Sequence, residues 1–319
     1  MTSKQFTFTL IFCFSGVIAQ EVKWMSIGNL HNWYSAAGSE IEVGRTGQIS
    51  DQQDGLRYPA FYRVQDNQCA KGLWLGASNF YDPVVNKNYD KKVVHAGPRH
   101  LDIENETMPV ELTMDGKYDH PNVFVDGDPA TNLQYLDYVD NVDPSLESDR
   151  KINNIVQTSL GVQMKRTIYA FAHPDHQNYH IQEYVFTNNG CFDKDCNTSY
   201  EQTLEGFQVY LQYRYAISRE GMVYDGNWLP QSAAWGHNTM NDVIGENPSS
   251  PSTNDQFYDN GEIMRAFFSW QGYHSDASFD NVGGPNAPGE GHLGAAQFAG
   301  VATLHVDTSP TDNSDDITQ

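Results

Sequence analysis

Basic residues are scarce in this 319-residue chain. Nineteen Lys and Arg stand against 41 Asp and Glu, a formal net charge of −22. Such a field repels phosphate backbones, which excludes a general nucleic-acid binder, and it opposes docking on an anionic membrane. Long apolar runs are missing beyond the first twenty residues. The best later stretch, Leu293 to Leu304, is interrupted by Gln297 and is too short to cross a bilayer, so the mature chain is expected to carry no transmembrane segment. The chain also lacks a Gly-x-x-x-x-Gly-Lys phosphate loop, a Gly-x-Ser-x-Gly elbow, a His-Glu-x-x-His pair and the Rossmann glycine fingerprint. Apart from the N-terminal segment, no dozen residues keep a helical period of 3.6.

What is present points to export. Lys4 precedes an apolar stretch from Phe6 to Ile18, and Val17-Ile18-Ala19 sets small or apolar residues before Gln20. This is the pattern of a secretory signal peptide over residues 1–19, and it predicts a secreted or cell-surface protein. Cys13 leaves with the leader, and Cys69, Cys191 and Cys196 remain. In an oxidising compartment Cys191 and Cys196 are placed to close a small loop, worth roughly 2 kcal/mol in loop entropy. Free thiols are the alternative. A zinc site lacks its second cysteine pair.

The periodicity is that of strands. Phe207, Val209, Leu211, Tyr213 and Tyr215 alternate with Gln208, Gln212 and Arg214, as in a half-buried strand. Further strands are expected at 179–187, 166–172, 263–270, 298–306, 57–64, 72–76, 93–97, 110–114 and 123–126, all rich in β-branched and aromatic residues. Asp54-Gly55, Asp115-Gly116, Asp126-Gly127, Asn189-Gly190, Asp225-Gly226 and Asn260-Gly261 supply hairpin chemistry beside them. Short helical turns fit at 29–37 and 133–138. The fold class predicted is all-β: an antiparallel β-sandwich, as one large unit or two adjoining ones, with long acidic loops. Asp137 to Asn154, dense in Asp, Asn and Ser, reads as a linker or a long loop. It divides an N-terminal β-rich region (20–150) from a C-terminal one (151–319).

At Glu183-Tyr184-Val185-Phe186-Thr187-Asn188-Asn189-Gly190 a strand runs into a Thr-Asn-x-Gly turn, and Phe298 to Asp307 reads Phe-Ala-Gly-Val-Ala-Thr-Leu-His-Val-Asp. Both segments resemble secreted or cell-envelope β-sandwich proteins of marine Gram-negative bacteria. The resemblance implies an exported all-β protein and brings no catalytic residue with it.

Several residue groups are candidates for chemistry. From Glu220 onward there are 14 acids and one base, Arg265. Carboxylates on loops suit a structural calcium ion, and Asp126 and Asp128, the Asp137, Asp140, Asp143 series and Asp312 to Asp316 are the places for it. A solvated acidic surface is the plainer alternative. His173-Pro174-Asp175-His176, with His180 following, and His95 with His100 offer imidazole ligands. Glu183 and Glu111 lie inside apolar strands and are expected on exposed faces. Trp228 and Trp235, in a long loop region, and Trp33-Tyr34 are candidate platforms on which sugar rings stack, although most aromatics must build the core. The sequence thus predicts a structural or ligand-binding protein whose partner is a glycan or another envelope protein. The alternative is an extracellular polysaccharide-active hydrolase with paired carboxylates about 5 to 10 Å apart. A metal enzyme built around His173 and His176 is a third reading.

Overall fold

A computed structural model describes residues 22–41, 55–60, 68–96, 106–120, 124–129, 137–215, 223–224, 227–228, 239–244, 258–259, 262–263, 265–271 and 298–316. The expected leader, Trp235, His100 and the strand expected at 57–64 beyond Ala60 lie outside them. No helix forms among the described residues, and none there is long and apolar enough to cross a membrane.

Among the described residues, thirteen strands lie in the first two-thirds of the chain: β1 Val22–Met25, β2 Asn32–Ser35, β3 Glu40–Ile41, β4 Gln68–Asp82, β5 Lys87–Ala96, β6 Thr107–Gly116, β7 Phe124–Val125, β8 Asp128–Pro129, β9 Asn141–Val142, β10 Arg150–Thr158, β11 Val162–Ala170, β12 His180–Asn188 and β13 Glu205–Tyr215. One sheet has the order β12-β11-β10-β6-β9. In the other, β4 pairs with β13 on one side and with β3 and β5 on the other. Pairing is antiparallel except for the two-residue contact of β6 with β9. Strands from both sides of residue 150 share each sheet. Downstream, residues 239–244, 265–271 and 298–303 form a separate three-stranded sheet.

Period-two burial orders the five-stranded sheet. Ile152, Asn154 and Val156 of β10 face the same way as Met164, Arg166 and Ile168 of β11, and all six are buried. Val156, Val162 and Met164 join Leu73, Leu75, Ala77 and Val94 of the four-stranded sheet in one apolar cluster. Ile152, Ile168, Leu112 and Met114 receive Met25 and Tyr34 of the β1–β2 hairpin in a second. Both clusters lie on one face of the sheet, and the Asn154–Arg166 pair falls between them.

Three expectations change here. The segment 137–154 ends inside β10, the central strand of the sheet, and is not a loop throughout. The buried Asn154 Nδ2 donates to the carbonyls of Ala36 and Glu111, both at 2.9 Å, which gives the amide's donors partners inside a strand. Residues 32–35, expected as part of a helical turn, pair as β2. The Asp126-Gly127 turn has both φ angles positive (53° and 88°) and closes the β7–β8 hairpin, as a two-residue type I′ connection requires. Asp115-Gly116, by contrast, continues β6. Cys191 and Cys196 are joined in a disulfide.

Candidate functional sites

A buried polar cluster ties the two sheets together. It starts at the turn from β2 to β3, where Ser39 N donates to Ser35 Oγ and Gly38 has a φ of +102°. That φ is what calls for glycine here, since an added Cβ would meet only side-chain ends, Met164 Cε at 2.8 Å and Leu73 Cδ2 at 3.3 Å. Arg166, fully buried, donates to the carbonyls of Gly38 (3.0 Å) and Ser35 (2.8 Å). This pinned turn delivers Glu40 opposite Lys71 of β4. Lys71 Nζ donates to Glu40 Oε1 at 2.9 Å, and Asn32 and Gln68 donate to Oε2 at 2.7 and 2.8 Å.

The five-stranded sheet completes the cluster. Tyr184 Oη lies 3.1 Å and Gln182 Oε1 3.3 Å from Lys71 Nζ. The ammonium also stands 5.2 Å from the Tyr184 ring and 5.7 Å from the Tyr213 ring, within cation–π range. Burial alone would raise the Glu40 carboxyl, but Lys71, Arg166 and the Asn32 amide outweigh it and hold it below the usual carboxylate range. Burial would likewise lower the Lys71 ammonium, but Glu40 and the two tyrosines hold it above the usual lysine range. Each partner is hydrogen-bonded, so the cluster is a lock between sheets.

Two imidazoles border this lock. His180 Nδ1 lies 2.9 Å from Tyr34 Oη, and its Nε2 is sealed from solvent. Burial drives its pKa down to about 4, with His31 acting in the same sense and Glu40 and the Leu30 carbonyl acting against it. His31 Nε2 lies 3.1 Å from the Gly28 carbonyl, and its pKa also falls to about 4, through burial and then Arg57.

The outer face of the four-stranded sheet is different. Leu73 and Leu75 point into the core, so alternation turns Trp74 outward. Trp74 is paired in register with Tyr210 of β13 and with His95 of β5. The three residues make one aromatic row across three strands. Trp74 is 37% and Tyr210 58% exposed. Their ring centroids are 6.4 Å apart with planes at 87°, and the His95 ring lies 5.1 Å from Trp74, tilted by 40°. Glu106 fixes His95, accepting from its backbone N–H at 2.9 Å and lying 2.8 Å from Nδ1. Gln208 and Gln212 flank Tyr210 on the same face, both exposed. Apolar rings framed by amide, imidazole and carboxylate groups match a ligand that has apolar faces and a hydroxyl rim.

The residues singled out from sequence are not gathered into one site. Trp228 belongs to a short strand, 227–228, paired with 223–224, and Trp235 lies outside the described residues. Trp33 and Tyr34 are buried. Asp126 and Asp128 are exposed on the β7–β8 hairpin. The rings of His173 and His176 lie 5.6 Å apart. His173 Nδ1 accepts from the Asp175 N–H at 3.2 Å, and His176 Nδ1 meets the Tyr179 hydroxyl. His180 is separated from them, bound to Tyr34. Asp137 lies 2.7 Å from His120 Nε2, Asp140 takes Lys23 Nζ and the Met114 N–H, Asp143 takes Ser145, and Asp315 takes Arg265. No group of three or more His, Cys, Asp or Glu suited to a metal ion occurs among the described residues. Glu183 is exposed. Comparison with protein-family models, with curated proteins and with solved structures finds no match, so the chemistry is read from the chain's own residues.

Proposed function

We propose that the chain is an exported β-sandwich protein that binds a glycan on the outer face of its four-stranded sheet. The observation that carries the reading is the exposed Tyr210–Trp74–His95 row with Gln208, Gln212 and Glu106 around it. Ring faces this open on a packed sheet lose little entropy on binding, because the strands already hold them. Supporting the sandwich is the apolar cluster to which both sheets contribute. Supporting export are the leader-like first nineteen residues and the Cys191–Cys196 disulfide.

Binding is favoured over hydrolysis by the carboxylates. Among the described residues, one carboxylate, Glu106, is hydrogen-bonded into the aromatic row, and it is occupied by His95. A glycosidase needs a second within about 5 to 10 Å across a bound sugar.

A glycan array probed with the labelled mature protein tests the reading. Wild type is expected to retain a defined subset of glycans. Trp74→Ala is expected to lose about 2 kcal/mol or more of binding, roughly 30-fold, while keeping its melting temperature within a few degrees, because Trp74 leaves the core cluster intact. Binding that survives both Trp74→Ala and Tyr210→Ala would overturn the assignment of the site.

A further inference from the structure

We infer that Gly76 is the floor of a second sugar position beside Trp74, so that the site takes a single soluble glycan chain and not the flat face of a crystalline polysaccharide. This rests on the glycan reading above and adds the ligand's form to it.

Gly76 is a glycine where a Cβ would fit. It lies inside β4, paired with Gln208 on one side and Val93 on the other. A glycine in a strand costs roughly 0.5–1 kcal/mol against alanine, and it ordinarily marks a bulge, a bend or the close approach of another group. Pairing with β5 passes through Gly76 without a shift, and the irregularity on β13 lies beyond Gln208, where Gly206 takes a φ of +54°. Gly76 itself is outside the left-handed region, and an added Cβ would meet Lys92 O and Val93 Cγ2 at 3.6 Å, ordinary van der Waals contact. Backbone and packing therefore both admit a Cβ. What its absence provides is a bare strip of strand two residues along from Trp74, on the same face, between Gln208 and Val93. Strand rise sets that strip about 6.6 Å from the aromatic row.

The ring planes supply the second part. Trp74 and Tyr210 stand at 87°, so they cannot both lie flat on one extended surface. A perpendicular pair forms a corner, with one ring against a sugar face and the other against its edge. A corner that continues into a bare strip fits one chain with room on all sides.

The test compares wild type, Gly76→Thr, Gly76→Ala, Trp74→Ala and Tyr210→Ala by calorimetric titration with soluble cellohexaose, xylohexaose, laminarihexaose and chitohexaose, alongside pull-down on microcrystalline cellulose and chitin. Threonine is a strong strand former, so Gly76→Thr is expected to hold or raise the melting temperature. Its affinity for the soluble hexasaccharide bound by wild type is expected to fall by about tenfold or more, with Gly76→Ala in between. If Trp74→Ala loses binding while both Gly76 variants bind as wild type, the inference is overturned and the glycan reading stands. Trp74-dependent binding to the insoluble polymers alone has the same meaning. If no probe binds, the inference is overturned and the array decides the glycan reading; if Trp74→Ala and Tyr210→Ala both bind normally, the glycan site itself fails. Should Gly76→Thr not fold, Gly76→Ala and the wild-type backbone resonances decide: the Gly76 amide must shift on titration, and a stationary Gly76 signal overturns the inference.

Discussion

Replacing Lys71 by methionine is expected to destabilise the protein by about 3–5 kcal/mol, measured by denaturant unfolding at neutral pH. Methionine keeps much of the volume, so the loss is electrostatic. Glu40 would stay buried with amide donors from Asn32 and Gln68 and only the Arg166 charge, which bonds other groups, to offset it, and a buried carboxylate stripped of its ion-pair partner costs more than the pair contributes when intact. The same logic predicts non-additivity. Glu40→Gln combined with Lys71→Met removes both charges and is expected to cost clearly less than Lys71→Met alone. A single substitution costing under about 1 kcal/mol, within the range of exposed ion pairs, would contradict the buried lock. So would a double variant as unstable as the sum of the singles.

Acid is expected to have a comparable effect through His31 and His180. Both imidazoles have folded pKa values depressed to about 4 from an ordinary 6.5. The neutral forms are therefore favoured by folding. Their contribution is complete above pH 6.5, declines as the pH falls and is gone below about 4. Each is worth roughly 3 kcal/mol, against a total stability of about 5–15 kcal/mol for a typical protein.

The surroundings explain the sign. At His180, bonded to Tyr34, burial is the larger cause, with His31 adding to it and Glu40 opposing it. His31 faces Arg57 and the Trp24 ring, and the more distant Asp137 opposes weakly. Neither buried imidazole has a carboxylate close enough to offset the cost of charging it away from water. Unfolding free energies measured between pH 7.5 and 4 are expected to fall most steeply between 6 and 4, and His31→Gln with His180→Gln to flatten that slope. A profile level down to pH 4.5, or an unchanged slope in the double variant, would contradict the assignment.

The strands were legible because their side chains alternate, and the exposed site was nearly so. In β13 the inward series Phe207, Leu211, Tyr213 sets the polar phase at Gln208, Gln212 and Arg214. Tyr210 stands in that polar phase and is the aromatic out of step. Trp74 is out of step in the same way between Leu73 and Leu75. An aromatic in the solvent phase of a core strand is the signal that finds this face, and no loop tryptophan carries it.

The buried lock was not legible, for two physical reasons. Glu40 and Lys71 are 31 residues apart and meet only through strand pairing. Alternation in β12 also separates His180, Gln182 and Tyr184 from Ile181, Glu183 and Val185 without saying which set faces inward. Ile181 and Val185 favour the second set, whereas Glu183, expected on the exposed face, favours the first. The structure buries the first more deeply, because Tyr34, Lys71 and Glu40 give those polar groups partners. β10 was hidden for a related reason, since Asn154 and Arg150 occupy its core phase.

The central claim, that the outer face of the four-stranded sheet is where ligand binds, is tested most directly by following backbone amide and tryptophan indole resonances while titrating the glycan that the array selects. The account predicts that shifts concentrate at Trp74, Gly76, His95, Gln208 and Tyr210, with the Trp74 indole N–H among the largest. Shifts clustered instead at Trp228 or Trp235, with Trp74 unmoved, would contradict it.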